Sequence, residues 1–193
     1  MDCGGVGSRL WYRCKGKRDG MTPQGFNSKD DQANLIGLGA NLPSRFGAPG
    51  ETIRRAIERL EAAGLTITAR SRLWETAPVP VSEQPWYVNA VCRVTSDLGP
   101  AALLALLHQV EEEFGRVRTV VNAPRLLDLD LLAHGREVVE GAAVVPHPRL
   151  AERAFVLLPL QDVAPHWTHP VSAETLAAMI ARLPKDQLAR PQS

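Results

Sequence analysis

The stretch Ala123-Pro124-Arg125-Leu126-Leu127-Asp128-Leu129-Asp130-Leu131-Leu132 alternates acidic and apolar residues, and it decides the fold. Because side chains two residues apart on a β-strand point to the same face, Asp128 and Asp130 are expected to project together while the leucines face a core. Two carboxylates about 7 Å apart can bind a hard cation such as Mg²⁺, whose remaining ligands are water and substrate phosphates. The stretch therefore predicts a half-buried strand that carries a metal–phosphate site.

Arg125 stands three residues before the first aspartate, at the edge of the same face. The planar guanidinium group binds two phosphate oxygens at once, which suits a polyphosphate next to the metal. An Asp-x-Asp pair alone fits a solvent-exposed strand face equally well. Other motifs of the chain must decide between these two interpretations.

The composition limits the class of protein. The chain has 193 residues, a formal net charge of +1 and three cysteines. This length suits one domain, the near-neutral charge argues against nucleic-acid binding, and no apolar run approaches the roughly 20 residues of a membrane span. Three cysteines do not form a disulfide framework, so we expect a reducing, cytoplasmic setting.

The first part of the chain differs from the rest. Residues 1–33 carry glycines and charges of both signs without apolar periodicity, and they lack the apolar segment of a secretory signal. We expect a disordered leader there, and Met21 is an alternative start. A single domain is expected over residues 34–185, followed by a tail over 186–193, in a monomer or a weak dimer.

The spacing of apolar residues predicts alternating strands and helices. Strands are expected at residues 34–39, 65–75 and 86–95 and at Asp128–Asp130, with amphipathic helices at 51–63 and 100–114. The order β-α-β-β-α-β is that of the ferredoxin-like α+β fold, an antiparallel sheet with helices on one face. A short strand at 137–139 and helices near 151–163 and 172–183 would form a C-terminal helical extension.

Over about residues 34–170 the chain resembles the 6-hydroxymethyl-7,8-dihydropterin pyrophosphokinase family. The resemblance rests on six motifs in order: Gly39-Ala40-Asn41-Leu42, Glu75-Thr76-Ala77-Pro78, Gln84-Pro85-Trp86-Tyr87-Val88-Asn89-Ala90, Gly115-Arg116-Val117-Arg118, Pro124-Arg125 with Asp128-Leu129-Asp130, and Pro146-His147-Pro148-Arg149 with Arg153-Ala154-Phe155. One such motif is weak, but their common order and spacing are specific. The resemblance implies an enzyme of folate biosynthesis that transfers pyrophosphate from ATP to the pterin hydroxymethyl group and releases AMP.

The resemblance also implies the residues that handle phosphate. Asp128 and Asp130 would bind two Mg²⁺ ions, and they would form the catalytic group together with Arg116 and Arg125. The ATP contacts would be Arg116, Arg118, Arg125, His147 and Arg153. Pyrophosphoryl transfer needs in-line positioning and charge neutralisation more than covalent help from the protein, which agrees with this set.

Strand 86–95 would supply the pterin side. Tyr87 and Asn89 lie two residues apart and so share a face, opposite the core residues Val88, Ala90, Cys92 and Val94. The resemblance implies that the pterin ring stacks between Tyr87 and Phe155. It also implies that Thr76 and Asn89 form hydrogen bonds with the polar edge of the ring.

Simpler interpretations stand beside three of these assignments. Arg116 follows a predicted helix and would also suit the negative end of its dipole. Phe155 could be ordinary core, as most aromatic residues are. His147 lies between two prolines, where a histidine is more often structural than catalytic.

The chain departs from the family pattern in the loop that would close over ATP. Val121, Asn122 and Ala123 stand where the family has a basic residue, tryptophan and glycine, and Pro148 replaces a tyrosine. These changes affect the moving parts and leave the aspartates intact. They predict slower or differently gated turnover with the chemistry retained.

Two other functions fit parts of the pattern. A catalytically idle homologue could bind nucleotide or pterin as a regulatory module, although the intact aspartates and arginines argue against it. An unrelated Asp-x-Asp nucleotidyl- or glycosyltransferase would need a nucleotide-binding core, and the chain has no Gly-rich fingerprint. We expect small-molecule substrates, no nucleic acid, no membrane and no second folate-pathway enzyme fused behind this domain.

Overall fold

The computed structural model describes residues 29–80, 82–116 and 125–192. Its strands are β1 (Asn34–Ala40), β2 (Thr66–Arg70), β3 (Trp74–Thr76), β4 (Tyr87–Thr95), β5 (Asp128–His134) and β6 (Ala189–Pro191). Its helices are α1 (Pro49–Ala62), α2 (Pro100–Glu113), α3 (Ala154–Val163) and α4 (Leu176–Ala181), with a 3₁₀ turn at Leu150–Glu152. The architecture is α+β, as the sequence predicted.

The strands form one antiparallel sheet in the order β5-β1-β4-β3-β6. Strand β2 also pairs with β4, so β2 and β3 follow each other along one edge of β4. The single strand predicted over residues 65–75 is therefore wrong. It is interrupted at 71–73, where the Ser71 hydroxyl accepts a hydrogen bond from the Val91 amide (2.9 Å) and Asp162 accepts one from the Arg72 amide (3.2 Å).

Apolar residues cover both faces of the sheet. Ile36, Leu38 and Cys92 pack against α1 and α2 in one core, whereas Leu35 and Val91 belong to a second core with α3 and α4. The two core helices α1 and α2 thus lie on one face, as expected, while α3 and α4 cover the other face, because the central strands are apolar on both sides and each side needs a cover. The predicted inward residues of strand β4, including Val88, Ala90 and Val94, are buried as expected.

The segment before β1 is part of the folded domain from residue 29 onward. Asp30 and Asp31 are buried. Asp30 pairs with Arg93 (2.9 Å) and accepts a hydrogen bond from the His166 amide (3.0 Å), while Asp31 accepts one from the Thr168 amide (3.0 Å). The expected leader is therefore wrong for residues 29–33, and the rest of it, with Met21, lies outside the described residues.

The end of the chain is also structured. The tail expected over 186–193 contains strand β6, which pairs with β3 and completes the sheet edge next to Thr76. The strand expected at 137–139 is only a single bridge between Val139 and Val145. In the described part of the chain, no helix combines the length and the apolar character required to cross a membrane.

Candidate functional site

A cavity of about 370 Å³ opens where β1 ends and β4 and β5 begin, on the sheet face opposite α1 and α2. Five predicted site residues on strands line it: Thr76, Tyr87, Asn89, Asp128 and Asp130. Five more from loops and α3 also line it: Arg116, Arg125, His147, Arg153 and Phe155. The remaining predicted residue, Arg118, lies outside the described residues, as does Val121-Asn122-Ala123.

Strand β5 explains why both aspartates reach the cavity. Leu127, Leu129 and Leu131 are buried in the first core, so Asp128 and Asp130 face the other way. Their partners on β1 are Gly39 and Gly37, which carry no side chains. The alternation predicted from the sequence therefore holds, and it opens space above the acidic pair.

Two arginines engage Asp128. Arg116 donates to Oδ1 at 2.6 Å, and the Arg125 guanidinium pairs with Oδ2. Both arginines are only partly exposed, so their charges are poorly screened by solvent. Because guanidinium groups bind phosphate and carboxylate with the same geometry, these arginines could exchange Asp128 for a nucleotide phosphate.

Glu111 supports this arrangement by pairing with Arg116, and no motif of the sequence indicated it. It is wholly buried, pairs with Arg116, and accepts a hydrogen bond from the Leu129 amide at 2.7 Å. It thereby links α2 to the first residues of strand β5. The available signal was a charged residue on the apolar face of α2, four residues after Leu107 and three before Phe114.

Burial shapes the electrostatics of the cavity. Burial, with the nearby charge of Asp128, raises the pKa of Asp130. Burial also lowers the pKa of His147, against the opposing effect of Asp130. The His147 Nδ1 accepts a hydrogen bond from the Arg149 amide at 3.2 Å, so the neutral ring carries its proton on Nε2.

Cations outnumber carboxylates around the cavity. Arg149, which had no predicted role, lines the cavity together with Arg153. Burial and, after it, repulsion from Arg149 lower the pKa of Arg153. A multiply charged anion that binds between these cationic groups reduces their mutual repulsion. The cavity is therefore suited to a polyphosphate.

Asp128 and Asp130 fit a magnesium ion that shares its coordination with phosphate. Mg²⁺ uses one or two carboxylates and completes its octahedron with water and phosphate oxygens. Among the residues that the structure describes, no group of three or more His, Cys, Asp or Glu side chains could hold a metal.

The opposite wall offers hydrogen-bonding groups and aromatic rings. Asn89 is buried and donates to the Thr76 hydroxyl at 2.7 Å, and a Cβ atom on Gly39 would come within 2.9 Å of the Asn89 Oδ1. Tyr87 donates to Gln84 at 3.2 Å. Phe155 lines the cavity and also packs against the second core, so the core interpretation of that residue holds in part.

A buried asparagine joins the two halves of the site. The Asn41 Oδ1 accepts a hydrogen bond from the Arg125 amide at 2.8 Å, and its Nδ2 donates to Gln84 at 3.3 Å. Asn41 belongs to a motif quoted above, but spacing alone gave it no role. Only the tertiary structure brings the turn after β1 between Arg125 and Gln84.

Comparisons with known proteins show which family the chain resembles. The model of the family 7,8-dihydro-6-hydroxymethylpterin-pyrophosphokinase (HPPK) matches residues 35–165. The 2-amino-4-hydroxy-6-hydroxymethyldihydropteridine pyrophosphokinase of Methylorubrum extorquens is 35% identical over 150 residues, which cover 77% of this chain and 91% of that protein. The enzyme of the same name from Bacillus subtilis is 40% identical over 131 residues, covering 66% and 75% of the two chains.

Longer proteins match as well. Folic acid synthesis protein fol1 of Pneumocystis carinii is 37% identical over 158 residues, covering 81% of this chain but 21% of that protein. The chain thus spans about a fifth of that relative's length. A crystal structure of an HPPK-DHPS in complex with substrates has the same fold, with a TM-score of 0.62 at 13% identity over 77% of this chain and 42% of that one. Because the family match extends over more than half of the sequence, the chain belongs to the 7,8-dihydro-6-hydroxymethylpterin-pyrophosphokinase family.

Proposed function

We propose that this protein transfers the pyrophosphoryl group of ATP to the hydroxymethyl oxygen of 6-hydroxymethyl-7,8-dihydropterin, with Mg²⁺ as cofactor and AMP as the second product. The observation that supports the proposal is the single cavity shared by the aspartate pair, a cluster of arginines and a wall with aromatic and amide groups. A phosphate donor and a flat heterocyclic acceptor require these two kinds of wall side by side.

On the phosphate side of the cavity, two arginines would exchange a carboxylate for the phosphates of ATP. Arg116 and Arg125 now pair with Asp128, and a triphosphate would draw them onto its oxygens, leaving the carboxylate free. Asp128 and Asp130 would then hold Mg²⁺, two ions by resemblance to the family, which neutralise phosphate charge and acidify the attacking hydroxyl. Arg118, Arg153 and the His147 Nε2–H would add donors to the same phosphates.

The acceptor half would position the pterin. Asn89 and Thr76 would bind the polar edge of the ring, and Tyr87 and Phe155 would stack on its faces. The hydroxymethyl oxygen then forms a bond to the β-phosphorus as the bond to the AMP oxygen breaks, and the hydroxyl proton is released. No general base is required of the protein, because the geometry and the charges supply the catalysis.

We also propose the ferredoxin-like class for the fold. If β2 and β3 count as one interrupted strand, the elements up to β5 follow the order β-α-β-β-α-β. The helices α3 and α4 with strand β6 would be the C-terminal extension. A cytoplasmic monomer or weak dimer, and altered lid gating through Val121-Asn122-Ala123, remain predictions.

The direct test is AMP formation by the purified chain with ATP, MgCl₂ and the hydroxymethyl pterin. Omission of any one of these, or addition of EDTA, should abolish the product. Asp128→Asn should lower kcat by at least about a hundredfold, as loss of a group that stabilises transition-state charge does. The exposed Asp97→Asn is the matched control.

A folded protein that binds ATP and pterin but forms no AMP would overturn the proposal in favour of an idle homologue. Calorimetric titration with the nucleotide and the pterin, with and without Mg²⁺, identifies that case. Binding of neither compound would exclude both functions.

A further inference from the structure

The segment that follows α4 contacts the backbone of residues next to the cavity. We call residues 187–189 the C-terminal bridge. The Gln187 side chain accepts a hydrogen bond from the Ala154 amide at 2.7 Å and donates one to the Glu152 carbonyl at 2.8 Å. One carboxamide thus binds the backbone on both sides of Arg153, more than 30 residues away in sequence.

Helix α3 needs this support because Arg153, the residue that precedes it, supplies no side-chain cap. The Arg153 backbone is extended (φ −113°, ψ 112°), and no side chain at this position accepts a bond from the first turn. Arginine has only donors and cannot satisfy the free amides of a helix N-terminus. Gln187 supplies the acceptor to Ala154, the first residue of the helix.

The backbone fixed in this way carries two residues of the cavity wall. The Arg153 guanidinium lies 5.2 Å from the centre of the Phe155 ring, and both side chains line the cavity. Arg149 lies at the same cavity and repels Arg153. Without a fixed backbone, this repulsion would favour conformations in which Arg153 turns away from the site.

The C-terminal bridge also holds the opposite wall. The Leu188 carbonyl accepts a hydrogen bond from the Ala77 amide at 3.0 Å, and Ala189 pairs with Thr76 across the β3–β6 ladder. Three consecutive residues therefore connect the wall of Arg153 with the wall of Thr76.

We infer that Gln187 is a positioning residue for pyrophosphoryl transfer, acting through the backbone of Arg153. The inference rests on the proposed function, and it adds a residue outside every motif that marks the family. Gln187 contacts no substrate. Its effect is to keep the Arg153 guanidinium directed at the phosphates before the nucleotide binds, which lowers the entropic cost of assembly.

The test is a double-mutant cycle on the full chain. Gln187→Ala should lower kcat/KM for ATP by about three- to tenfold in the otherwise unchanged protein, the range for one or two lost hydrogen bonds. In the Arg153→Ala background the same substitution should leave kcat/KM unchanged while it still lowers Tm. The matched control is Gln192→Ala, an exposed amide five residues further on, which should be silent in both backgrounds.

Equal losses from Gln187→Ala in both backgrounds, or no loss in either, would overturn the inference, because a purely structural role predicts one of these results. If Gln187→Ala does not fold, Gln187→Glu replaces it, since it keeps the acceptor for Ala154 and loses the donor to Glu152. It should give a smaller loss that again depends on Arg153.

The proposed function can fail separately. If the unchanged protein forms no AMP, the cycle is measured as the Kd of α,β-methylene-ATP with Mg²⁺, and the same dependence on Arg153 supports the inference. An active protein in which Gln187→Ala has no effect refutes the inference alone. Absence of both AMP formation and analogue binding refutes both.

Discussion

Asp130 is the residue in which function and stability oppose each other. Burial raises its pKa, so the folded chain binds this proton more tightly than the unfolded chain does. The stability that protonation supplies is complete below the unfolded pKa of about 4 and is lost as the pH rises through the folded pKa. At neutral pH the ionised Asp130 therefore lowers the free energy of unfolding.

We predict that Asp130→Asn raises Tm at pH 7–8 in EDTA, an advantage that should disappear toward about pH 4. The same variant should lose Mg²⁺-dependent nucleotide binding. Thermal unfolding across this pH range, with Asp97→Asn as an exposed control, measures the effect. A lower Tm for Asp130→Asn at neutral pH would contradict the argument.

For Glu111 we predict the opposite effect, because its substitution should lower the stability of the fold. It is buried, pairs with Arg116 and satisfies the Leu129 amide, so Glu111→Ala leaves a poorly solvated cation and a free strand amide. We expect a loss of about 3–5 kcal/mol in the free energy of unfolding, measured by urea titration. Glu112→Ala, at the next and exposed position, should change stability little. Equal effects of the two substitutions would exclude a special role for Glu111.

At the scale of elements, the contact between β1 and β4 shapes the acceptor wall. Gly39 pairs with Asn89, and a methyl group on Gly39 would approach the Asn89 Oδ1 to 2.9 Å. Gly39→Ala should displace the Asn89 amide from Thr76. We predict that KM for the pterin rises by about five- to tenfold, the value of one hydrogen bond, while KM for ATP changes little.

Steady-state kinetics with each substrate varied in turn measure this difference. Gly99→Ala is the control, because a Cβ atom there meets no other atom within 4 Å. An equal rise in both KM values for Gly39→Ala would show that the whole site, rather than the acceptor wall, has moved.

At the same scale, local sequence patterns predict some strands and helices and miss others. Strands β1 and β4 and the helices α1 and α2 follow from the apolar pattern, because the strands are apolar runs buried on both sides and each helix buries one regular face. The break at 71–73 and strand β6 do not. The break depends on Asp162, which lies 90 residues from Arg72 in the sequence. Strand β6 is a three-residue edge strand with a proline, and its pairing partner β3 precedes it by more than 110 residues.

At the scale of the whole molecule, Asp30 and Asp31 connect the segment before β1 to the segment that follows α3. Asp31 is 1% exposed and accepts a hydrogen bond from the Thr168 amide, beyond α3. Neither Asp31 nor Thr168 lines the cavity. We predict that Asp31→Ala lowers the free energy of unfolding by about 1–3 kcal/mol, the cost of an unsatisfied buried donor, with kcat unchanged.

Urea unfolding and AMP formation, measured on the same preparations, test this separation. Asp97→Ala should leave both quantities unchanged, since its side chain is exposed. A fall in kcat for Asp31→Ala under conditions in which the protein stays folded would contradict it.

The sequence by itself determined the alternation that directs Asp128 and Asp130 to one face, the motifs that mark the family, and the residue types suited to phosphate and to a flat ring. These are local properties, set by the twofold repeat of a strand and by side-chain chemistry. Only the tertiary structure decided that Glu111 supports Arg116, that Asn41 joins Arg125 to Gln84, and that Gln187 binds the backbone around Arg153. Those contacts join segments 5 to 84 residues apart, and no local periodicity encodes them, because they form when the sheet and its two layers of helices pack together.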